Sequence, residues 1–249
     1  LPAVFDAREA IKDGAPLIHP EEAEKYANNI NTQVEWHFGD VEQGFDEAEV
    51  IVEDKFTGNR TFQSPIEPHA AVARWEHHAG KLTVWSSSMA PHYLRHMLSR
   101  MFELPQGDIR TITPCVGGGF GVKAEATPLD LCAVIFARLT GRPVMMKYSR
   151  EEMVHHFRGR HKQHIDMKLG LKKDGTITAC QSHILLDGGA YTSYGIVTAY
   201  YAGSMVPTLY NIPNYKYDGY RIYTNLPASG AMRGHGVPQP RYAFEALLD

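Results

Sequence analysis

Four glycines in five positions, Gly117-Gly118-Gly119-Phe120-Gly121, followed by Val122-Lys123, constrain this chain more than any other stretch. Each glycine gives up more backbone freedom on ordering than any other residue, so the run suits neither a helix nor a strand interior. It does let bare backbone N–H groups come close to something bulky and negatively charged. Residues 109–113 read as a strand and residues 128–139 as a helix. The spacing therefore predicts strand, glycine loop and helix in succession, with an anion held at the start of the helix. Two better-known phosphate motifs do not fit. The G-x-x-x-x-G-K pattern needs glycine at position 122, which is valine. The G-x-G-x-x-G pattern, begun at Gly117 or Gly119, needs glycine at 122 or 124, which are valine and alanine. A tight turn that holds no ligand is the other reading of the loop.

With 249 residues, the chain is long enough for one large domain or two small ones. Hydrophobic residues at 43% and charged residues at 21% place it among soluble globular proteins. A net charge of −3, with no basic stripe, argues against nucleic acid as a partner. No apolar run is long enough for a membrane span. The opening Leu1-Pro2-Ala3-Val4 is soon followed by charged residues, unlike a signal peptide, so a cytoplasmic protein is expected. Cys115, Cys132 and Cys180 are far apart and odd in number, which reads as free thiols in a reducing compartment. None belongs to a C-x-x-C pair, so no protein-ligated zinc or iron–sulfur centre is expected within the chain.

The pattern predicts a mixed α+β / α/β fold, with β-α-β units around the glycine loop and long antiparallel hairpins after it. Residues 1–30 read as a linker, with short helices at 7–13 and from Pro20. Residues 28–33 are polar and loop-like, and strand alternation begins at Phe45 and runs on through 51–56. Strands are expected at 70–76, 81–87, 109–113 and 144–148. Between them Pro91 suits the first turn of a helix that carries Leu94, Met97, Leu98 and Met101. Residues 165–171 and 176–186 form a hairpin around Lys172-Lys173-Asp174-Gly175. The tyrosine-rich segments up to Tyr223 are expected to be further strands or loops.

Several residue clusters invite a chemical reading. His92 and His96 are four apart on a predicted helix, but Tyr93 breaks the H-E-x-x-H pattern and no further ligands are evident. His77-His78, His155-His156 and His161 with His164 sit beside charged neighbours in expected loops. Ser86-Ser87-Ser88 with His92 suggests a hydrolase, yet no G-x-S-x-G elbow surrounds them. Arg233 lies in Leu226-Pro227-Ala228-Ser229-Gly230-Ala231-Met232-Arg233-Gly234-His235-Gly236-Val237-Pro238-Gln239, where small neighbours leave its planar fork open to a bound group. A loop salt bridge is the other reading of that arginine.

Together these stretches resemble the molybdenum hydroxylases of the xanthine oxidase type. The glycine loop with Lys123 carries the resemblance, and so does 231–239 with Arg233. Pro65-Ile66-Glu67-Pro68-His69, Arg158-Gly159-Arg160-His161 and Tyr223-Thr224-Asn225-Leu226-Pro227 match as well, in the family's order. The opening residues, with Gly14-Ala15-Pro16-Leu17-Ile18-His19, resemble the linker into the family's molybdopterin region, which makes 31–249 the first portion of the molybdopterin-binding domain. The sequence Lys123-Ala124-Glu125-Ala126, with 158–160 and 169–175, is similar to the 4-hydroxybenzoyl-CoA reductase branch.

The resemblance implies a molybdopterin cofactor carrying molybdenum, in its plain or cytosine dinucleotide form. It places Gly118, Gly119, Phe120 and Gly121 at that cofactor, with the Phe120 backbone toward the metal. Arg233 takes the place of a substrate-orienting, catalytic arginine. A glutamine usual near the metal falls at Met89, which cannot donate a hydrogen bond. The acid used by purine oxidisers is offset by one residue to Glu125, a substrate-binding position, and this disfavours purines. The implied activity is oxidoreduction of an aromatic, heterocyclic, aldehyde or aryl-CoA substrate. The family's Gly-Glu-Pro segment with its glutamate base is absent, as are its iron–sulfur and flavin portions. The expected partners are therefore the remainder of the molybdopterin subunit, an iron–sulfur subunit and an FAD subunit, this chain being a fragment or one piece of a split subunit. A non-catalytic scaffold or assembly domain of the same fold is the alternative.

Overall fold

The computed structural model describes residues 2–22, 28–156 and 158–249. Along the chain lie α1 (Ala7–Ala10), β1 (Ile30–Phe38), α2 (Val41–Asp46), β2 (Val50–Gly58), β3 (Ala70–Glu76), β4 (Lys81–Ser86), α3 (Pro91–Phe102) and β5 (Ile109–Ile112). They are followed by α4 (Pro128–Thr140), β6 (Val144–Lys147), α5 (Arg150–His156), β7 (Lys162–Leu171), β8 (Ile177–Gly189), α6 (Ile196–Ser204), β9 (Tyr215–Tyr223) and α7 (Pro238–Leu248). The fold is mixed α/β. It divides into two compact units, one of Leu1–Thr61 with Arg158–Asp249 and one of Phe62–Phe157.

The first unit is built on a five-stranded sheet in the order β1-β9-β8-β7-β2. Strands β7 and β8 form the expected hairpin. Its turn closes through Lys172 N–H to the Thr176 carbonyl (2.8 Å), with Gly175 at a φ of 88°. Ile165, Met167 and Leu169 alternate inward along β7, where they join Ile184, Leu186, Tyr217 and Phe244 in one core, while Asp166 is exposed. The next connection departs from expectation. Strand β9 runs parallel to β8, and residues read as strand or loop form the crossover helix α6. Small residues give that helix its place: the Tyr217 hydroxyl donates to the Ala199 carbonyl at 2.7 Å, and a side chain at Gly203 would meet the Tyr217 ring. The last residues, beyond the Arg233 loop, form α7, which the sequence reading did not anticipate.

Two further corrections fall in this unit. Residues 28–33 were expected to be a loop, but β1 begins at Ile30. Its first polar residue is satisfied inside: the Asn31 side chain is buried, donating to the Tyr223 hydroxyl at 2.7 Å and accepting from Arg221. Phe45, expected in a strand, lies on α2, which is capped by the Asp40 side chain, and β2 starts only at Val50. The ring of Phe45 packs under the Lys168 ammonium instead of following strand alternation. Of residues 1–30, read as a linker, residue 1 and residues 23–27 lie outside the described residues. Val4, Ala7 and Ala10 are buried against Ile222.

The second unit holds a four-stranded sheet in the order β5-β4-β3-β6. Strands β4 and β5 run parallel on either side of α3, the β-α-β unit that the periodicity indicated. Leu94 and Leu98 of α3 and Leu129, Ala133, Val134 and Ala137 of α4 share one apolar cluster with Ala71, Ala73, Leu82, Val84 and Ile109 of the sheet. Helix α3 opens on Pro91, and α4 ends at Gly141 with a φ of 64°. The glycine loop spans the connection from β5 to α4. No helix among the described residues is long and apolar enough to cross a membrane.

Candidate functional site

The glycine loop does not deliver a free helix N-terminus. Residues 122–126 intervene, and the first turn of α4 is capped from within the chain. Thr127 N–H donates to the Asp130 carboxylate at 2.9 Å, the Thr127 hydroxyl donates to it at 2.7 Å, and Asp130 N–H returns a bond to Thr127 Oγ1. Asp130 is wholly buried. The expectation of an anion at the start of α4 therefore gives way to a carboxylate that the chain itself supplies.

The loop's own backbone is a different matter. Gly118, Phe120 and Gly121 all have positive φ, at 97°, 53° and 105°. For Phe120 that conformation is costly, and its side chain is nevertheless exposed. The N–H groups of Gly118, Gly119, Phe120 and Gly121 have no hydrogen-bond acceptor among the described residues, although Gly119 is buried. Gly119 is buried, and buried amides are seldom left unpaired, so with the open amides beside it the loop forms a donor cradle. Met89 lies against it. A methyl group added at Gly119 would stand 2.7 Å from the Met89 sulfur. Met89 N–H donates to the Lys123 carbonyl at 3.0 Å, which fixes its backbone beside the end of the loop.

Both ends of the loop meet one carboxylate. Oε2 of Glu67 accepts from Gly117 N–H at 2.8 Å and from the Lys123 ammonium at 2.6 Å. Glu67 N–H in turn donates to the Gly117 carbonyl at 3.1 Å. Partial burial pushes the Glu67 carboxyl upward, but the Lys123 ammonium and the Gly117 amide outweigh it and hold the group below the usual carboxylate range. Lys123 is wholly buried. Glu125 is buried in the turn that follows. In the sequence Pro65-Ile66-Glu67-Pro68-His69 is only a stretch that matches the family, and nothing local pairs Glu67 with the loop.

The serines 86–88 are buried too, and Ser86 and Ser87 join a network of His69 and Asp130. Ser87 Oγ lies 3.4 Å from His69 Nδ1, His69 Nε2 lies 3.1 Å from Asp130, and the Ser86 hydroxyl donates to Asp130 at 2.8 Å. This has the order of a hydrolase relay, but all four residues are closed off from solvent, so it serves as a structural network.

In the first unit, Arg233 is exposed, and its guanidinium has no partner among the described residues. Its carbonyl accepts from the Arg160 side chain. Two residues on, the His235 ring stacks on Tyr194 at 6.2 Å and meets Tyr201 edge-on at 5.9 Å. Burial, and then the charge of Arg160, lower the His235 pKa and keep the imidazole neutral. Deeper in this unit Arg221 is wholly buried. Its Nε–H donates to His161 Nε2 at 3.1 Å, and its Nη2 reaches the carbonyls of Gly188 (2.8 Å), Tyr191 (3.1 Å) and Ser229 (3.3 Å). It therefore ties the loops before and after β9 together, including the one that leads to Arg233. Among the described residues, no three His, Cys, Asp or Glu side chains are grouped to hold a metal ion.

The mixed α/β frame thus carries an exposed-arginine loop in one unit and a run of open amides in the other. The chain belongs to the molybdopterin cofactor-binding domain family, whose model matches residues 18–249. It is 35% identical over its whole length to the nicotinate dehydrogenase large molybdopterin subunit of Eubacterium barkeri, of which it spans 57%. It is 32% identical to the xanthine dehydrogenase molybdenum-binding subunit of Escherichia coli O157:H7, again over its whole length, and spans 32% of that protein. Among solved structures, the aldehyde oxidoreductase of Desulfovibrio gigas superposes with a TM-score of 0.90 at 29% identity, over 98% of this chain and 26% of that one. The quinoline 2-oxidoreductase of Pseudomonas putida 86 does so with a TM-score of 0.90 at 26% identity, over 99% of this chain and 31% of that one.

Proposed function

We propose that this chain supplies the first molybdopterin-binding portion of a molybdenum-dependent oxidoreductase acting on an aromatic, heterocyclic, aldehyde or aryl-CoA substrate. The observation that carries the reading is the run of unpaired amides from Gly118 to Gly121. Residues whose donors are unspent fit a cofactor with negatively charged oxygens, and they supply no titratable side chain that could compete for protons. A bound molybdenum cofactor would supply oxygen-transfer and electron-transfer chemistry. The chain's part is to hold and orient. The backbone of Gly118, Gly119, Phe120 and Gly121 would hold the cofactor, with the Phe120 backbone on the metal's side and Met89 lining the same loop.

Arg233 is assigned to the substrate. Its guanidinium can donate charge-assisted hydrogen bonds to an oxygen that gains charge during turnover. Glu125 is assigned as a second substrate contact. The partners assigned are the rest of the molybdopterin subunit, an iron–sulfur subunit and an FAD subunit, and the cofactor is the plain or cytosine dinucleotide form. The names of the relatives, which are molybdopterin or molybdenum-binding subunits, support this reading. The test is native purification of the complete assembly, followed by analysis for molybdenum, pterin and a companion chain bearing a Gly-Glu-Pro segment. Finding all three upholds the reading. A folded protein that carries neither molybdenum nor pterin overturns it in favour of a scaffold domain.

A further inference from the structure

We infer that Glu67 and Lys123 form a clamp that positions the glycine loop, a role which rests on the cofactor reading above. One carboxylate oxygen of Glu67 bridges the two ends of the loop, Gly117 N–H at 2.8 Å and Lys123 Nζ at 2.6 Å. The Glu67 N–H to Gly117 carbonyl bond of 3.1 Å locks the same end from the other side. Lys123 is wholly buried and Glu67 is its only ion-pair partner among the described residues, so the ammonium depends on this carboxylate for compensation. The loop between these ends has few internal bonds: Val122 N–H reaches the Gly119 carbonyl and Ala124 N–H the Gly121 carbonyl, both at 3.1 Å. Nothing else among the described residues pairs the amides of Gly118 to Gly121. Their direction is therefore set by the closed neck, by the positive φ values and by Met89.

The chain geometry also explains why a glycine stands at the neck. A side chain at Gly117 would stand 2.6 Å from Cβ of Glu67, so the carboxylate can reach the amide only where no Cβ intervenes. The stretch Pro65-Ile66-Glu67-Pro68 contributes rigidity. Two prolines bracket the glutamate and limit the backbone conformations open to it. Glu67 and Lys123 are positioning residues and touch no substrate.

The test uses the intact protein in its natural assembly and compares Glu67→Gln, Lys123→Arg and the wild type. Two readouts are taken together: backbone hydrogen–deuterium exchange resolved by peptide, and molybdenum and pterin per folded molecule. With Glu67→Gln, exchange in peptides covering 117–123, read at its hydrogen-bonded Gly117 and Val122 amides, is expected to rise at least tenfold, the sheet and α4 remaining protected, and cofactor content to fall at least tenfold. Lys123→Arg keeps a cation at the neck and is expected to retain loop protection and most of the cofactor. Unchanged exchange in 117–123 in the Glu67→Gln variant overturns the clamp. So does exchange that rises evenly across the second unit, with cofactor lost only in proportion to unfolded protein, because that marks a merely structural pair. Wild type without molybdenum and pterin overturns the proposed function by itself, and the exchange comparison then still decides the clamp.

Discussion

Nε2 of His69 stands 3.1 Å from a carboxylate oxygen of Asp130, and both residues are wholly buried. The pair joins the residue that precedes β3 to the first turn of α4, and the Ser86 hydroxyl at the end of β4 completes it. Burial raises the Asp130 pKa, but the His69 imidazole and the Thr127 donors outweigh it and keep the carboxyl below its ordinary range. Asp130→Ala removes the carboxylate half of the α4 capping box and leaves His69, Ser86 and the Thr127 N–H and hydroxyl without their acceptor. Stripping one partner from such a buried pair costs about 3–5 kcal/mol. Thermal unfolding of the intact protein should show a loss of this size, and a loss below about 1 kcal/mol, the worth of an exposed pair, contradicts the account.

Gly119 provides the cleanest probe of the cradle. Gly121 is at a φ of 105°, so any side chain there strains the backbone whatever the ligand. Gly119 lies outside that region, and an alanine methyl at 119 would press on the flexible end of Met89, 2.7 Å away. Met89 is half exposed and can yield. Inserting a methyl group into a fitted space costs about 1–3 kcal/mol, so Gly119→Ala should weaken cofactor retention roughly tenfold or more. Near-normal unfolding should accompany that loss. Molybdenum content beside a melting curve measures both, and full metal content would make the loop a plain turn.

Arg233→Met should lower turnover roughly a hundredfold while molybdenum stays bound, since one preorganised charged donor is worth about 3 kcal/mol in a transition state. Arg233→Lys should recover only part of the rate, because an ammonium lacks the planar fork. Steady-state kinetics of the full assembly, beside metal analysis, makes the comparison. A methionine variant with unaltered turnover removes Arg233 from the site.

Acid should weaken the first unit through His161. Burial first, and then the neighbouring Arg221, push its pKa well below the ordinary histidine value of 6.5. The Arg221 Nε–H can only donate, so His161 Nε2 accepts and the ring proton sits on Nδ1. The folded state therefore holds the ring neutral, while the unfolded chain takes up a proton as pH falls below about 6.5. Stability is complete above that pH. It declines as pH falls toward the depressed folded value, by about 1.4 kcal/mol per pH unit for one such group. His161→Gln keeps an acceptor for Arg221 and should flatten the decline between pH 6.5 and the acid limit. Denaturant unfolding across this range measures it, and an unchanged slope in the variant would place the proton elsewhere.

Much of the second unit was legible in the sequence because its signals are local. Pro91 at the start of α3, the apolar spacing of Leu94 and Leu98, and Pro128 opening α4 follow from a few neighbouring residues each. The glycine loop was legible as a place where backbone is exposed, and the order of motifs around it identified the family. What escaped depends on distant partners. Strand β1 looked like a loop because Asn31 is polar, and only Arg221 and Tyr223, some 190 residues away, make it a buried strand residue. Helix α6 looked like strand because tyrosines and small residues suit either, and Tyr217 from another strand decides it. Glu67 could not be read as the partner of Lys123, since 56 residues separate them. Asp130 gave a local capping signal, but its closure of the α4 terminus to outside anions depended on His69 and Ser86.

The most direct measurement of the central claim is an anomalous difference map at the molybdenum absorption edge, from crystals of the intact protein purified with its natural partners. The account predicts one strong peak adjacent to the backbone of Gly118 to Gly121, with connected density for the pterin reaching the same amides. A peak remote from this loop, or a well-ordered loop with no molybdenum peak in the crystal, would contradict it.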